Sequence, residues 1–335
     1  MSPTDEGKPA LVPALIGAAA CLFFIRSGFL IFFFLVPLGF LAFRFSPKTA
    51  WAGFGMAAVA NFVVALISIA AGKLPGLEAA WDILYFSVMC GFFTWIVAPL
   101  WVGGALSRVN GAMRMVIGSV LCTLVFVGIL SRALADAAFY SAIKMQIEGI
   151  TSFYKSGSPD VVQNALLDSL TPEFVVETMK ALVLRGGGLV SCVFIFWISR
   201  QASIILARIF GSRYRGASFR SFHVHPNFIW VLSFSILVVL ASSIFKWTAP
   251  EILVWNVLAL CVILYFAQGL GILQHFLLTA PPLLRLLLPL AFIILVFSPG
   301  INAVLLGLIA ILGIAENWAA FRQPKPKGPP PTPEA

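Results

Sequence analysis

Long apolar runs separated by short polar stretches organise this chain. They fall near residues 10–25, 28–43, 50–72, 82–104, 112–131, 184–209, 227–246, 251–276, 286–297 and 301–318. A straight helical crossing of a bilayer needs about 20 apolar residues. The first pair and the last pair of runs are short, and each reads as a tight hairpin or as a bent or re-entrant element. One helix from Ala10 to Arg44 would be roughly 50 Å long, too long for a single crossing. Arg26-Ser27-Gly28 supplies the break at one end of the chain, and Ser298-Pro299-Gly300 supplies it at the other. The pattern predicts an all-α polytopic transmembrane helical bundle of about eight to ten crossings.

One connection is long. Residues 132–183 carry Ile143, Ile147, Ile150 and Tyr154 at helical spacing, opposite Asp136, Lys144 and Glu148. Ser158-Pro159-Asp160 and Thr171-Pro172-Glu173 each set a capping hydroxyl before a first-turn proline and an acid. Short amphipathic helices are expected in this extramembrane segment, lying on the membrane surface, lidding a cavity or simply connecting spans. The organisation is then an N-terminal stretch 1–9, helices in 10–131, the amphipathic segment 132–183, helices in 184–322, and a Pro- and Lys-rich tail 323–335 that reads as disordered.

Composition agrees with burial in lipid. The 335 residues are 60% hydrophobic and 10% charged, and the mean hydropathy is +1.00. A soluble domain carries about 25% charged residues. The formal net charge of +9 sits in short loops, so it reads as an orientation signal and not as a nucleic-acid surface. Arg44 and Lys48, Arg108 and Arg114, Arg213, Arg215 and Arg220, then Arg285, and finally Arg322, Lys325 and Lys327 mark one side. The alternate loops hold single charges such as Arg26, Lys73 and Lys246. Both termini are therefore expected in the cytoplasm. The acidic Asp5 and Glu6, with Arg26 after the first apolar run, do not form a cleavable signal.

Ionisable and strongly polar side chains are costly in a bilayer, so each is a candidate for function. The eighth run is the richest, with Asn256, Tyr265, Gln268, Gly269, Gly271, Gln274 and His275. Gln268 and His275 are about two helical turns apart and share a face. Two readings stand: a polar, ligand-binding cavity wall, or hydrogen-bond glue between helices with His275 at the interface. Asn61 and Asn302 admit the same pair of readings. Glu316 and Arg322 read as a cytoplasmic-face anchor pairing with basic loops, with a proton-coupling carboxylate as the alternative for Glu316. Asp82 reads as an acid at a helix start. Arg213, Arg215 and Arg220, with Arg208, read as topology signals or as a surface for anionic lipid or a cytoplasmic partner.

Several chemistries find no support. Cys21, Cys90, Cys122, Cys192 and Cys261 stand singly in apolar runs and read as small buried hydrophobes. His223-Val224-His225 lacks further ligands for zinc. Arg185-Gly186-Gly187-Gly188 is followed by no Lys-Ser/Thr pair and reads as a close-packed helix entry. No catalytic constellation, metal site or cofactor site is expected.

The C-terminal half resembles a family. Phe222, Pro226 and Trp230, then Asn256, then Leu264-Tyr265-Phe266-Ala267-Gln268-Gly269-Leu270-Gly271, then Arg285, Leu306-Gly307-Leu308, Glu316 and Phe321-Arg322 resemble the YybS-like bacterial integral membrane proteins. Where the family has an Asp near its end, this chain has Glu316. Val36-Pro37-Leu38-Gly39 with Phe43-Arg44 looks like the family's second segment. The resemblance implies a bacterial cytoplasmic membrane and distant similarity to substrate-binding S components of energy-coupling-factor transporters. Their first helix docks through an Ala-x-x-x-Ala face, a spacing that Ala14 and Ala18 share. Two functions are thus expected in alternation: a small-molecule binding or transport subunit, or a non-transporting scaffold or assembly factor holding a cytoplasmic or membrane partner.

Overall fold

A computed structural model describes residues 10–28, 30–72, 76–99, 111–157, 171–212, 214, 222–296, 298, 300–319 and 321–322. The sequence features at Lys73, Arg108, Ser158-Pro159-Asp160, Pro299, Arg213, Arg215, Arg220 and both chain ends lie outside them, as does the Tyr154 side chain. The described residues are helical, with no strand among them. Seven helices are long and apolar enough to cross a membrane, and three shorter apolar ones accompany them. The protein is an all-α, polytopic helical membrane protein.

The chain divides into two compact units, Met1–Gly216 and Ala217–Ala335. The first contains α1 (Leu11–Arg26), a 3₁₀ turn (Ile31–Phe33), α2 (Val36–Arg44), α3 (Pro47–Ala70), α4 (Gly76–Val97), α5 (Gly111–Leu134), α6 (Ala137–Gly157), α7 (Pro172–Leu182) and α8 (Gly188–Ile209). The second contains α9 (Phe228–Phe245), α10 (Thr248–Thr279), α11 (Pro282–Val296) and α12 (Ile301–Ala319).

Local chemistry sets the helix ends. Ser46 Oγ accepts from the Thr49 N–H at 3.1 Å ahead of Pro47, and Thr171 Oγ1 accepts from the Phe174 N–H at 3.2 Å ahead of Pro172. Each hydroxyl satisfies an amide that the helix leaves unpaired. The expected break after Arg26 is present. Ser27 Oγ accepts from the Leu30 N–H at 3.0 Å, and Gly28 takes φ +68°, a left-handed conformation suited to glycine. The amphipathic segment forms α6 and α7, joined to each other by the Lys144–Glu173 ion pair at 3.2 Å.

In the first unit, α1 runs parallel to α3. The Ala10 N–H reaches Thr49 Oγ1 at one end, and Arg26 reaches Asn61 at the other. α8 closes the bundle against α2. Ser203 Oγ donates to the Val36 carbonyl at 2.9 Å, and Ser212 Oγ donates to the Phe43 carbonyl at 2.8 Å. The core contains Cys21, Phe34, Leu38, Phe86, Phe93 and Phe196. Between α7 and α8 the helix passes through a π turn, Val183–Gly187, with Gly186 at φ +104°. The glycine run expected as a helix entry is a kink within one long helix. Ala14 and Ala18 are buried inside the bundle, so their face packs within the unit.

In the second unit α10 is 32 residues long, about 48 Å. α12 packs antiparallel to it, with Gly313 beside Tyr265 and Gly269 beside Ile309. Leu232 of α9 joins Cys261 and Tyr265 of α10 in a separate core with Val224.

Candidate functional site

The polar residues of α10 sort into three groups. Gln268 is 1% exposed. Its Oε1 accepts from the Val224 N–H at 2.6 Å, and its Nε2 donates to the Gly313 carbonyl at 2.9 Å. One side chain therefore ties the strand-like lead into α9 to α12. Tyr265 is fully buried, and its hydroxyl accepts from Asn317 Nδ2 at 3.4 Å. Gly269 and Gly313 permit this closeness. A Cβ on Gly269 would stand 2.0 Å from the Ile309 carbonyl oxygen, and one on Gly313 would stand 1.9 Å from that of Tyr265.

Glu316 and Arg322 complete this knot. Their carboxylate and guanidinium pair in two bonds, one of them Arg322 Nε to Glu316 Oε1 at 2.5 Å. Both side chains are 4% exposed. Arg322 Nη2 also donates to the Phe222 carbonyl at 2.9 Å and meets His223 Nδ1 at 3.2 Å. The pair expected to anchor on basic loops anchors on itself and on residues 222–224. An isolated charge at this burial would cost several kcal/mol, which the ion pair and the carbonyl offset.

Asn256 and His275 lie outside the knot. Asn256 Nδ2 donates to the Ile252 carbonyl of its own helix at 2.8 Å. His275 sits below the knot with its ring against Phe276 and its Nδ1 buried without a hydrogen-bond partner. Gly271 is buried within α10. His225 Nδ1 accepts from the Asn227 N–H at 3.3 Å, which makes it a turn contact. Among the described residues no group of three or more His, Cys, Asp or Glu is placed to hold a metal ion.

The first unit holds polar features that single-run reading missed. Arg26 Nη2 donates to Asp82 Oδ2 at 2.5 Å and to Asn61 Oδ1 at 2.9 Å, joining the end of α1 to points part-way along α3 and α4. Asn61 is 1% exposed, and its Nδ2 has no partner. All three residues stood out singly in the sequence. Their convergence depends on α1 running parallel to α3, which hydropathy does not encode.

The acids of this unit are segregated to one end, where Arg132 and Arg185 also stand, while cations occur at both ends. One end gathers Arg44 of α2, Lys48 of α3, Arg114 of α5, and Arg200 and Arg208 of α8. Trp51 Nε1 donating to the Ala98 carbonyl at 2.7 Å, and Phe43 stacked on Tyr214 at 4.6 Å, bring these helix ends together. No acid lies at this end among the described residues. Asp82, Asp136, Glu148, Glu173 and Glu177 all lie at the other end, where Arg26, Lys144 and Lys180 pair with three of them. Two hollows open in the unit. One of about 380 Å³ is lined by Trp51, Ser87, Gly91, Trp95 and Leu121, and one of about 340 Å³ is lined by Leu130, Ser131, Lys180 and Leu184.

Comparison with protein-family models, with curated proteins and with solved structures returned no match.

Proposed function

We propose that this protein is a non-transporting membrane scaffold, whose cationic end in the first unit holds a cytoplasmic protein partner with an acidic surface. The observation that carries the reading is the segregation of acids: Arg44, Lys48 and Arg208 are exposed at an end free of described acids, while the cations of the other end stand among carboxylates. Cations gathered on one side of a helical membrane protein face the cytoplasm. They also steer and hold an oppositely charged surface.

Two further features support a scaffold over a binding subunit. The Gln268 amide is engaged on both its atoms by the protein itself. The S-component-like alternative docks through an alanine face of its first helix, and here Ala14 and Ala18 face inward.

The test is recovery of a stoichiometric partner in mild detergent from cells expressing the full chain. Neutralising Arg44, Lys48 and Arg208 together is expected to release it, as is raising salt toward 1 M, where the Debye length falls to about 3 Å. A partner retained equally by the neutralised variant would sink the reading. Saturable uptake of a small metabolite by the purified protein would favour the binding subunit instead.

A further inference from the structure

Three sulfur atoms from three helices meet in the core of the first unit. Cys122 Sγ of α5 lies 3.3 Å from Met89 Sδ of α4 and 3.9 Å from Cys192 Sγ of α8. Met89, Cys122 and Cys192 are 3%, 1% and 6% exposed. In the sequence these residues stand far apart, each inside its own apolar run. The packing of α4 on α5, and of α5 on α8, makes them a cluster.

We infer that Met89, Cys122 and Cys192 form a binding site for one soft monovalent metal ion of the Cu(I) class. Geometry and ligand type both point that way. A metal–thiolate bond of about 2.3 Å places two sulfurs of a three-coordinate centre about 4 Å apart. Cys122 and Cys192 already have this spacing. Met89 is unbranched and flexible, so its thioether can move by the roughly 0.7 Å that takes its 3.3 Å separation from Cys122 to about 4 Å.

Thiolate together with thioether selects Cu(I) over harder ions. Zinc takes four ligands in a closed structural site, and the described residues supply three sulfurs here. Charge sets the proton balance. Each cysteine that binds the ion does so as a thiolate, so two thiol protons leave for each ion that enters. The site then carries one net negative charge, against the two that the thiolates alone would carry. No electron is transferred. The inference is independent of the scaffold reading, because it concerns the core and not the cationic end.

The experiment titrates the purified full-length protein with Ag(I), a soft ion that undergoes no redox change, and with Cu(I) in competition with a chromophoric chelator. One high-affinity equivalent is expected, with release of two protons. Cys122→Ala and Cys192→Ala should each weaken it by at least the roughly 10–100-fold that loss of a mere outer-shell partner costs. Cys261→Ala, in the other unit, should leave it unchanged. Met89→Leu conserves core volume, so it folds where a cysteine variant does not. It should weaken binding and reduce the ion's stabilisation of the protein against heat. Affinity unchanged in Cys122→Ala, Cys192→Ala and Met89→Leu would overturn the inference. So would an equivalent that disappears with Cys261→Ala, or the absence of any high-affinity equivalent.

Discussion

Gly313 of α12 lies so close to Tyr265 of α10 that a Cβ on the glycine would stand 1.9 Å from the Tyr265 carbonyl oxygen. The obstacle is backbone, which cannot rotate aside. Gly313→Ala should therefore force α10 and α12 apart, costing about 1–3 kcal/mol or more. Thermal unfolding in detergent measures it. Gly307→Ala is the control, since nothing lies within 4 Å of the added carbon. Alanine there should be neutral or stabilising by about 0.5–1 kcal/mol, because helix interiors disfavour glycine.

Gln268→Leu tests the bridge that shares this contact. It leaves the buried Val224 N–H without an acceptor, which should cost about 1–3 kcal/mol. The loss should be concentrated at residues 222–225, read as faster amide exchange there. Gln268→Glu keeps an acceptor for Val224 but turns a second oxygen toward the Gly313 carbonyl, so it should not restore stability.

Glu316 and Arg322 form a second closure over the same residues. Replacing one partner alone should cost about 3–5 kcal/mol, because the other charge is then buried unpaired. Replacing both by apolar residues should cost much less than the sum. A double-mutant cycle by thermal unfolding reads the difference.

The kink between α7 and α8 rests on Gly186. Its φ of +104° is one that L residues rarely adopt. Gly186→Ala should destabilise by about 1–2 kcal/mol or straighten the helix. Spin-label distances between α7 and the end of α8 separate these outcomes from no change.

The Lys144–Glu173 pair is exposed and should matter locally rather than globally. The hydrogen bond it donates to the Glu173 carboxylate holds the Lys144 ammonium above its ordinary value. A raised value in the folded state stabilises below the unfolded lysine value near 10.4 and is lost as pH rises through the folded one. The pair's contribution to protection of α6 should therefore be constant across neutral pH, and exchange there, corrected for its intrinsic pH dependence, should stay level. That exchange should rise with Lys144→Ala at pH 7.

Much of the fold was legible because its signals are local. Thr171-Pro172 and Arg26-Ser27-Gly28 specify helix ends through nearby backbone atoms, and the structure places ends there. Which helices share a core was not legible. Residues 184–209 are as apolar as the runs that follow them, yet α8 packs on α2 and α5 because Ser203 and Ser212 meet carbonyls far away in sequence. Glu316 and Arg322 stood out as an interfacial anchor for basic loops, but their mutual pairing depends on the turn at residues 321–322. Met89, Cys122 and Cys192 carried no signal at all, since isolated sulfur residues in apolar runs look like ordinary core.

The length of α1 has a consequence for the membrane around it. Its 16 residues rise about 24 Å, against a hydrocarbon thickness of about 30 Å. Arg26 at its end meets Asn61 and Asp82 part-way along the longer helices α3 and α4. A bilayer accommodates a short helix ending in charge by thinning at that edge, with water and headgroups descending to the guanidinium. A dimpled lipid collar on one flank makes that flank the energetically favoured place for another short-edged helix to settle, through shared deformation of the membrane rather than through any matching surface.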